Sequence, residues 1–154
     1  MKALLSFLMC VALVTAADVA NMTGSWKLNV KKSKFEKNAA PLDVLLKIEH
    51  NEPALKYTGT VTGSQEGHPD TFEFNGAIDD KIYPVKETPD TGRTIKFKRK
   101  SKNEVESWSS DRNNMEEHAV TTVSGDGKTL IRTMNVKHKD GTRRNWTEMY
   151  DKQN

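Results

Sequence analysis

The chain has 154 residues, 29% of them charged and 35% hydrophobic, with a formal net charge of +3. That length suggests one domain, and a near-balanced mixture of both signs excludes the strongly basic footprint of a nucleic-acid binder. A single cysteine, Cys10, excludes an intrachain disulfide framework, so the fold must rest on its core.

Residues 1–17 read as a signal peptide: Lys2 supplies the positive start, Ala3 to Val14 the apolar stretch, and Thr15, Ala16 and Ala17 the small residues of a cleavage site. The apolar stretch is too short to span a membrane, which takes about 20 residues, so no stable membrane anchor is expected. Cys10 falls inside this leader. The remaining domain, 18–154, would then be free of cysteine, which points to a secreted or periplasmic bacterial protein rather than a disulfide-bearing animal one.

Alternation, not helical periodicity, recurs along the rest of the chain. Trp26, Leu28 and Val30 share one side of the first strand, and Leu42, Val44, Leu46 and Ile48 one side of the second. The connection between them, 31–41, is the only long one and has room for a helical turn. After a turn at 51–53, Leu55, Tyr57, Gly59 and Val61 alternate with lysine and threonine, and Phe72, Phe74, Gly76 and Ile78 share a side of the next run. A short run follows around Pro84, which suits a strand end or edge. The turn at 88–92 leads into 93–101, then 104–112 and 117–124. Two Asp-Gly turns, Asp126-Gly127 and Asp140-Gly141, separate the last runs, 129–138 and 142–151; Asp-Gly between alternating segments is a strong hairpin signal.

About nine strands joined by hairpin-length connections predict neighbours in sequence that are neighbours in space. An open meander of that length exposes two edges, and closure removes them. The expected fold is all-β: an antiparallel up-and-down β-barrel of about 8–10 strands.

Gly24-Ser25-Trp26 on the first strand, the meander, and a last strand bearing arginine and tyrosine resemble the lipocalin-like, or calycin, barrels. The resemblance implies that Trp26 plugs the closed end and that an arginine from a late strand, Arg144 or Arg132, covers it; an arginine on an indole contributes about 0.5–2 kcal/mol. The pieces 24–35, 79–99, 123–130 and 149–153 also resemble a group of uncharacterised small secreted bacterial proteins. The last strands are similar to those of fatty-acid-binding proteins, in which an Arg-x-Tyr pair grips a carboxylate. Here that place reads Glu148-Met149-Tyr150, and the glutamate departs from simple fatty-acid binding.

A barrel of this size is either filled by side chains or holds one small ligand. Gly59 and Gly76 on inward faces would make room for a ligand or permit strand bending. Arg99, on the side of Ile95 and Phe97, and Arg132, on the side of Leu130 and Met134, must find partners if they point inward, because an unpaired buried charge costs several kcal/mol. Together they could clamp a ligand carboxylate, or pair internally with Glu117 or Glu148. Lys96, Lys98, Lys100 and Lys102 read as a solvated outer face without interleaved aromatics.

His50, His68, His118 and His138 lack short ligand spacing, so no metal is expected. Residues 124–129 lack the first glycine of a phosphate loop, position 122 being Thr122, and no helix pattern follows. Asn21 and Asn145 head glycosylation-type triplets, the latter within a strand.

The expected function is reversible binding of a small apolar or amphipathic ligand, with Tyr57, Arg99, Arg132 and Tyr150 as polar contacts and Trp26 with Arg144 as the structural plug. No enzyme activity, cofactor or nucleic-acid partner is expected, and the chain is expected to be a monomer. The alternatives are a structural or protein-interaction module with a filled core, and an enzyme using an inward His118 with Glu117 or Glu148.

Overall fold

A computed structural model of the chain describes residues 19–36, 40–63 and 69–154; the leader, Cys10 and His68 lie outside them. Ten antiparallel strands form: β1 (Gly24–Leu28), β2 (Asp43–Asn51), β3 (Ala54–Thr62), β4 (Thr71–Ala77), β5 (Ile82–Thr88), β6 (Thr94–Ser101), β7 (Glu104–Ser110), β8 (Glu116–Val123), β9 (Thr129–Lys137) and β10 (Arg143–Gln153). Each pairs with its neighbours in sequence, and β1 pairs with β10 to complete a closed barrel. The structure thus has one strand more than the nine counted in the sequence, and no helix among the described residues.

Closure follows from the period-2 pattern. In β2, Val44, Leu46, Ile48 and His50 are buried while Lys47, Glu49 and Asn51 are exposed, so one face of every strand is driven inward. The inward side chains form one core that joins Trp26, Leu46, Phe74, Ile95, Phe97 and Leu130 across the barrel. Two expectations shift at strand ends. Leu42 is 77% exposed and Val30 is also exposed, because β2 starts at Asp43 and β1 stops at Leu28. The connection after β1 holds one hydrogen-bonded turn, with the Lys32 and Ser33 amides donating to Asn29 O at 3.2 and 3.0 Å, and this turn does not extend into a helix.

Pro84 marks a change of partner. β5 pairs with β6 over Ile82–Pro84 and with β4 over Val85–Thr88. The proline, which has no N–H to donate, sits where pairing to β4 has ended. Tyr83 fills this region: its ring meets Phe74 edge-on at 5.9 Å and lies over Gly76, where a Cβ would come within 2.9 Å of it.

Four turns, β2–β3, β4–β5, β6–β7 and β8–β9, lie at one end of the barrel, and the chain crosses that end before β1. Ala20 N donates to Lys102 O in the β6–β7 turn at 2.8 Å, so the segment reaches from β1 to the far wall. Met22 is buried beneath the core, and Trp26 Nε1 donates to Met22 O at 2.8 Å. Trp26 is 0% exposed and closes this end, with its polar atom satisfied as a buried indole requires.

The cation over Trp26 is Lys152, with Nζ 5.2 Å from the ring centroid. Neither Arg144 nor Arg132 covers the indole. Lys152 stands opposite Trp26 in the β1–β10 register, whereas Arg144 pairs with Val136 eight residues up the strand. Gly24 makes the approach feasible. Its φ of +146° is a conformation that side chains rarely adopt, and a Cβ there would stand 2.6 Å from Lys152 Cε.

Candidate functional site

Above the Trp26 floor lies a cavity of about 280 Å³, just under the usual range of about 300–1,000 Å³ for ligand pockets. Its lower wall is apolar: Leu46, Ile48, Leu55 and Phe97, with Tyr57 and Phe72 at the side. Tyr57 stacks on Phe74 at 5.0 Å and meets Phe72 edge-on at 6.0 Å. Towards the opposite end, the lining includes Phe35, Glu36, Pro41, Met115, His138 and Arg144. Glu36 and Arg144 pair there, Oε2 to Nε, at 3.8 Å.

The two inward glycines do not themselves create this space. The Phe72 ring lies over Gly59, where a Cβ would be 2.0 Å from Phe72 Cζ, and Tyr83 and Phe74 lie over Gly76. The missing side chains are replaced by aromatic rings, Phe72 and Tyr83 from adjacent strands and Phe74 from the strand of Gly76 itself.

Across one wall runs a chain of alternating charges. Glu87 on β5, with a side chain 2% exposed, places Oε1 2.9 Å from Arg93 Nε and accepts a hydrogen bond from Thr91. Arg93 Nη1 donates to Glu117 Oε2 at 3.2 Å and to Ser109 Oγ at 3.3 Å. Glu117 Oε1 is 3.6 Å from Arg132 Nη2. Arg132 Nη1 donates to Glu148 Oε2 at 3.2 Å, and Glu148 also accepts from Tyr150 Oη and Trp146 Nε1, both at 2.9 Å. Five charged side chains from β5, the β5–β6 turn, β8, β9 and β10 thus pair with one another inside the barrel, as buried charges must, with Arg93 Nε alone of these guanidinium atoms buried and without a hydrogen bond.

This surrounding shifts the titration of its members. Burial alone would weaken the Arg132 charge, but Glu148, Tyr150 and Glu117 outweigh it and hold its pKa above the ordinary guanidinium value. Arg93 is raised likewise, with Glu117 and Glu87 overcoming burial. Burial pushes the hydroxyls of Tyr57 and Tyr150 up, and the Glu148 charge adds to this at Tyr150.

Of the residues expected to contact a ligand, the structure brings Tyr57, Arg132 and Tyr150 together in the cavity lining. Arg99 does not line it. It points to the closed end and binds Glu52 through Nη2 at 2.5 Å and Nε at 3.3 Å. Glu52 in turn contacts His50 Nε2 at 2.7 Å, and His50 Nδ1 accepts from Met22 N at 3.2 Å. Arg99 thereby braces the crossing segment below the ligand space. Arg144 lines the upper cavity instead of plugging the floor.

His118 is on the outer surface, stacked on Trp108 at 5.2 Å, while Glu117 points inside. Adjacent residues of a strand face opposite ways, so His118 and Glu117 cannot act as an inward catalytic pair. Trp108 also lies beneath Lys96 Nζ at 4.9 Å. An aromatic side chain thus does border the lysine-bearing face, supplied by the next strand.

Glu87, Arg93 and Trp146 were not singled out from the sequence. For Arg93 and Trp146 the sequence carries a signal: residues 93, 95, 97 and 99 share one parity, as do 146, 148 and 150. Among the described residues no group of three or more His, Cys, Asp or Glu side chains is placed to hold a metal. No model of a known protein family matches the chain, and no curated protein matches it.

Proposed function

We propose that this protein is a secreted or periplasmic carrier that reversibly holds one small apolar or amphipathic molecule inside its barrel. The observation that carries this reading is the cavity of about 280 Å³ above the Trp26 floor, with aromatic and aliphatic walls and a few convergent polar groups. Such a lining is the general pattern of small-molecule sites: apolar surface supplies affinity, and a small number of fixed polar atoms orient the ligand. Tyr57, Arg132 and Tyr150 are among the polar groups that a ligand would meet. The signal-like leader supports export, and the closed sheet leaves no edge through which a second copy would pair.

Uptake of the neutral dye N-phenyl-1-naphthylamine, followed by its fluorescence, tests this reading together with native mass spectrometry of protein purified from its own source. Saturable uptake at one dye per chain, or a co-purifying small molecule, is the expected result. A chain that takes up no dye and flies without added mass would be a filled-core structural or interaction module instead.

A further inference from the structure

The charge chain on the cavity wall does not balance. Glu87, Glu117 and Glu148 set three carboxylates against the two guanidiniums of Arg93 and Arg132, a formal charge of −1 inside the barrel. The Glu36–Arg144 pair near the other end of the cavity adds nothing to this sum. Resting on the carrier reading above, we propose that the cavity selects a cationic amphiphile, an alkyl ammonium in its simplest form, and disfavours a carboxylate.

The geometry supports this in two ways. Both arginines are already ion-paired, and Arg93 Nε, which makes no hydrogen bond, lies 2.9 Å from Glu87 Oε1. Arg132 faces Glu148 and Glu117, and Arg93 faces Glu87, Glu117 and Ser109. An incoming carboxylate would have to displace fixed carboxylates and would take the interior from −1 to −2 in a low-dielectric setting, where an uncompensated charge is costly. An ammonium takes it to zero and brings three donors.

The acceptors also differ in how fully they are used. Glu148 accepts from Arg132, Tyr150 and Trp146, and Glu87 accepts from Thr91 while pairing with Arg93. Among the described residues, Glu117 Oε1 has only the 3.6 Å contact with Arg132 Nη2. Glu117 Oε1 therefore has capacity for a new donor, while the apolar body of the ligand would lie against Tyr57, Phe72 and Phe97. The whole-chain charge of +3 acts from outside, across distances where salt screens it.

Displacement of N-phenyl-1-naphthylamine at pH 7 by octylamine, octanol and octanoate tests the proposal, since the three share a tail and differ in head charge. The expected order is octylamine first and octanoate last, with at least a tenfold gap between them. Glu117→Gln should shrink that gap severalfold. Octanoate binding as tightly as octylamine in the unmodified protein overturns the charge proposal, whatever the folding of the variant. An unchanged gap in folded Glu117→Gln overturns the role of that residue. If the dye binds and octanoate ranks first, the carrier reading survives and this one fails; if neither the dye nor any of the three binds, both fail.

Discussion

Arg132 and Glu148 stand directly opposite each other in the β9–β10 register, joined by a 3.2 Å hydrogen bond from Nη1 to Oε2 inside the barrel. Glu148 thus ties up the neighbouring guanidinium. Removing one partner of a buried pair leaves the other uncompensated. Glu148→Ala, which also strips the acceptor from Tyr150 and Trp146, should cost about 3–5 kcal/mol. Replacing both members by methionine should recover most of that loss, since an apolar pair needs no compensation. Urea unfolding of Glu148→Ala and of the double methionine variant measures this, and a Glu148→Ala protein within about 1 kcal/mol of the parent would mean that the pair is effectively solvated.

The floor makes a separate prediction. Trp26→Ala removes the largest fully buried side chain and should cost about 3–5 kcal/mol. Trp26→Phe keeps most of the packing but deprives Met22 O of its donor, at about 1–3 kcal/mol. Amide exchange at Met22 and Ala20 should accelerate in both variants, because the crossing segment hangs on that bond. Unchanged protection at these two amides would show that the segment is held by its other contacts alone.

Alternation revealed which way most side chains face, and hence a closed all-β barrel, but not how far up the barrel each one lies. Arg99 shares parity with Ile95 and Phe97 and does turn inward, yet it sits at the end of β6 and reaches Glu52 at the floor. Arg93 has the same parity at the opposite end of that run and meets the cavity. Height depends on register between strands, which one strand's sequence does not contain. The same reason separates Lys152 from Arg144 as the partner of Trp26: both lie on the inward parity of β10, and only the β1–β10 pairing decides between them. The partners of Arg132 were legible by elimination, since Glu117 and Glu148 were the inward acids on adjoining strands. Glu87 is not legible in the same way, because β5 is short and interrupted by Pro84.

Gly59 gives a test of how the cavity wall is packed. A methyl group there would meet Phe72 Cζ at 2.0 Å, and the backbone on the other side is fixed by pairing with Leu46 and Phe72. Gly59→Ala must therefore push the ring towards the cavity, costing about 1–3 kcal/mol and weakening dye uptake. Gly125, with nothing within 4 Å of its Cβ position, is the control, and Gly125→Ala should stay within about 0.5 kcal/mol of the parent. Equal stability and dye affinity in both variants would show that the Phe72 ring has a second resting place outside the cavity.

Stability should fall in alkali through the buried tyrosines. Tyr57 and Tyr150 hold their protons more tightly in the folded barrel than in the unfolded chain, chiefly because burial disfavours the phenolate, with the Glu148 charge adding to this at Tyr150. A folded pKa above the unfolded value of about 10 means that the native state binds more protons once pH exceeds that value. The contribution is therefore fully present below about pH 10 and is lost as pH climbs from there towards the folded values. Urea midpoints measured between pH 8 and pH 11 should drop steeply at the upper end for the parent protein. The Tyr57→Phe, Tyr150→Phe double variant should start lower, having lost the hydrogen bond to Glu148, but decline with a shallower slope. Parallel declines in the two proteins would assign the alkaline loss to surface lysines, and the tyrosines would then titrate without unfolding the barrel.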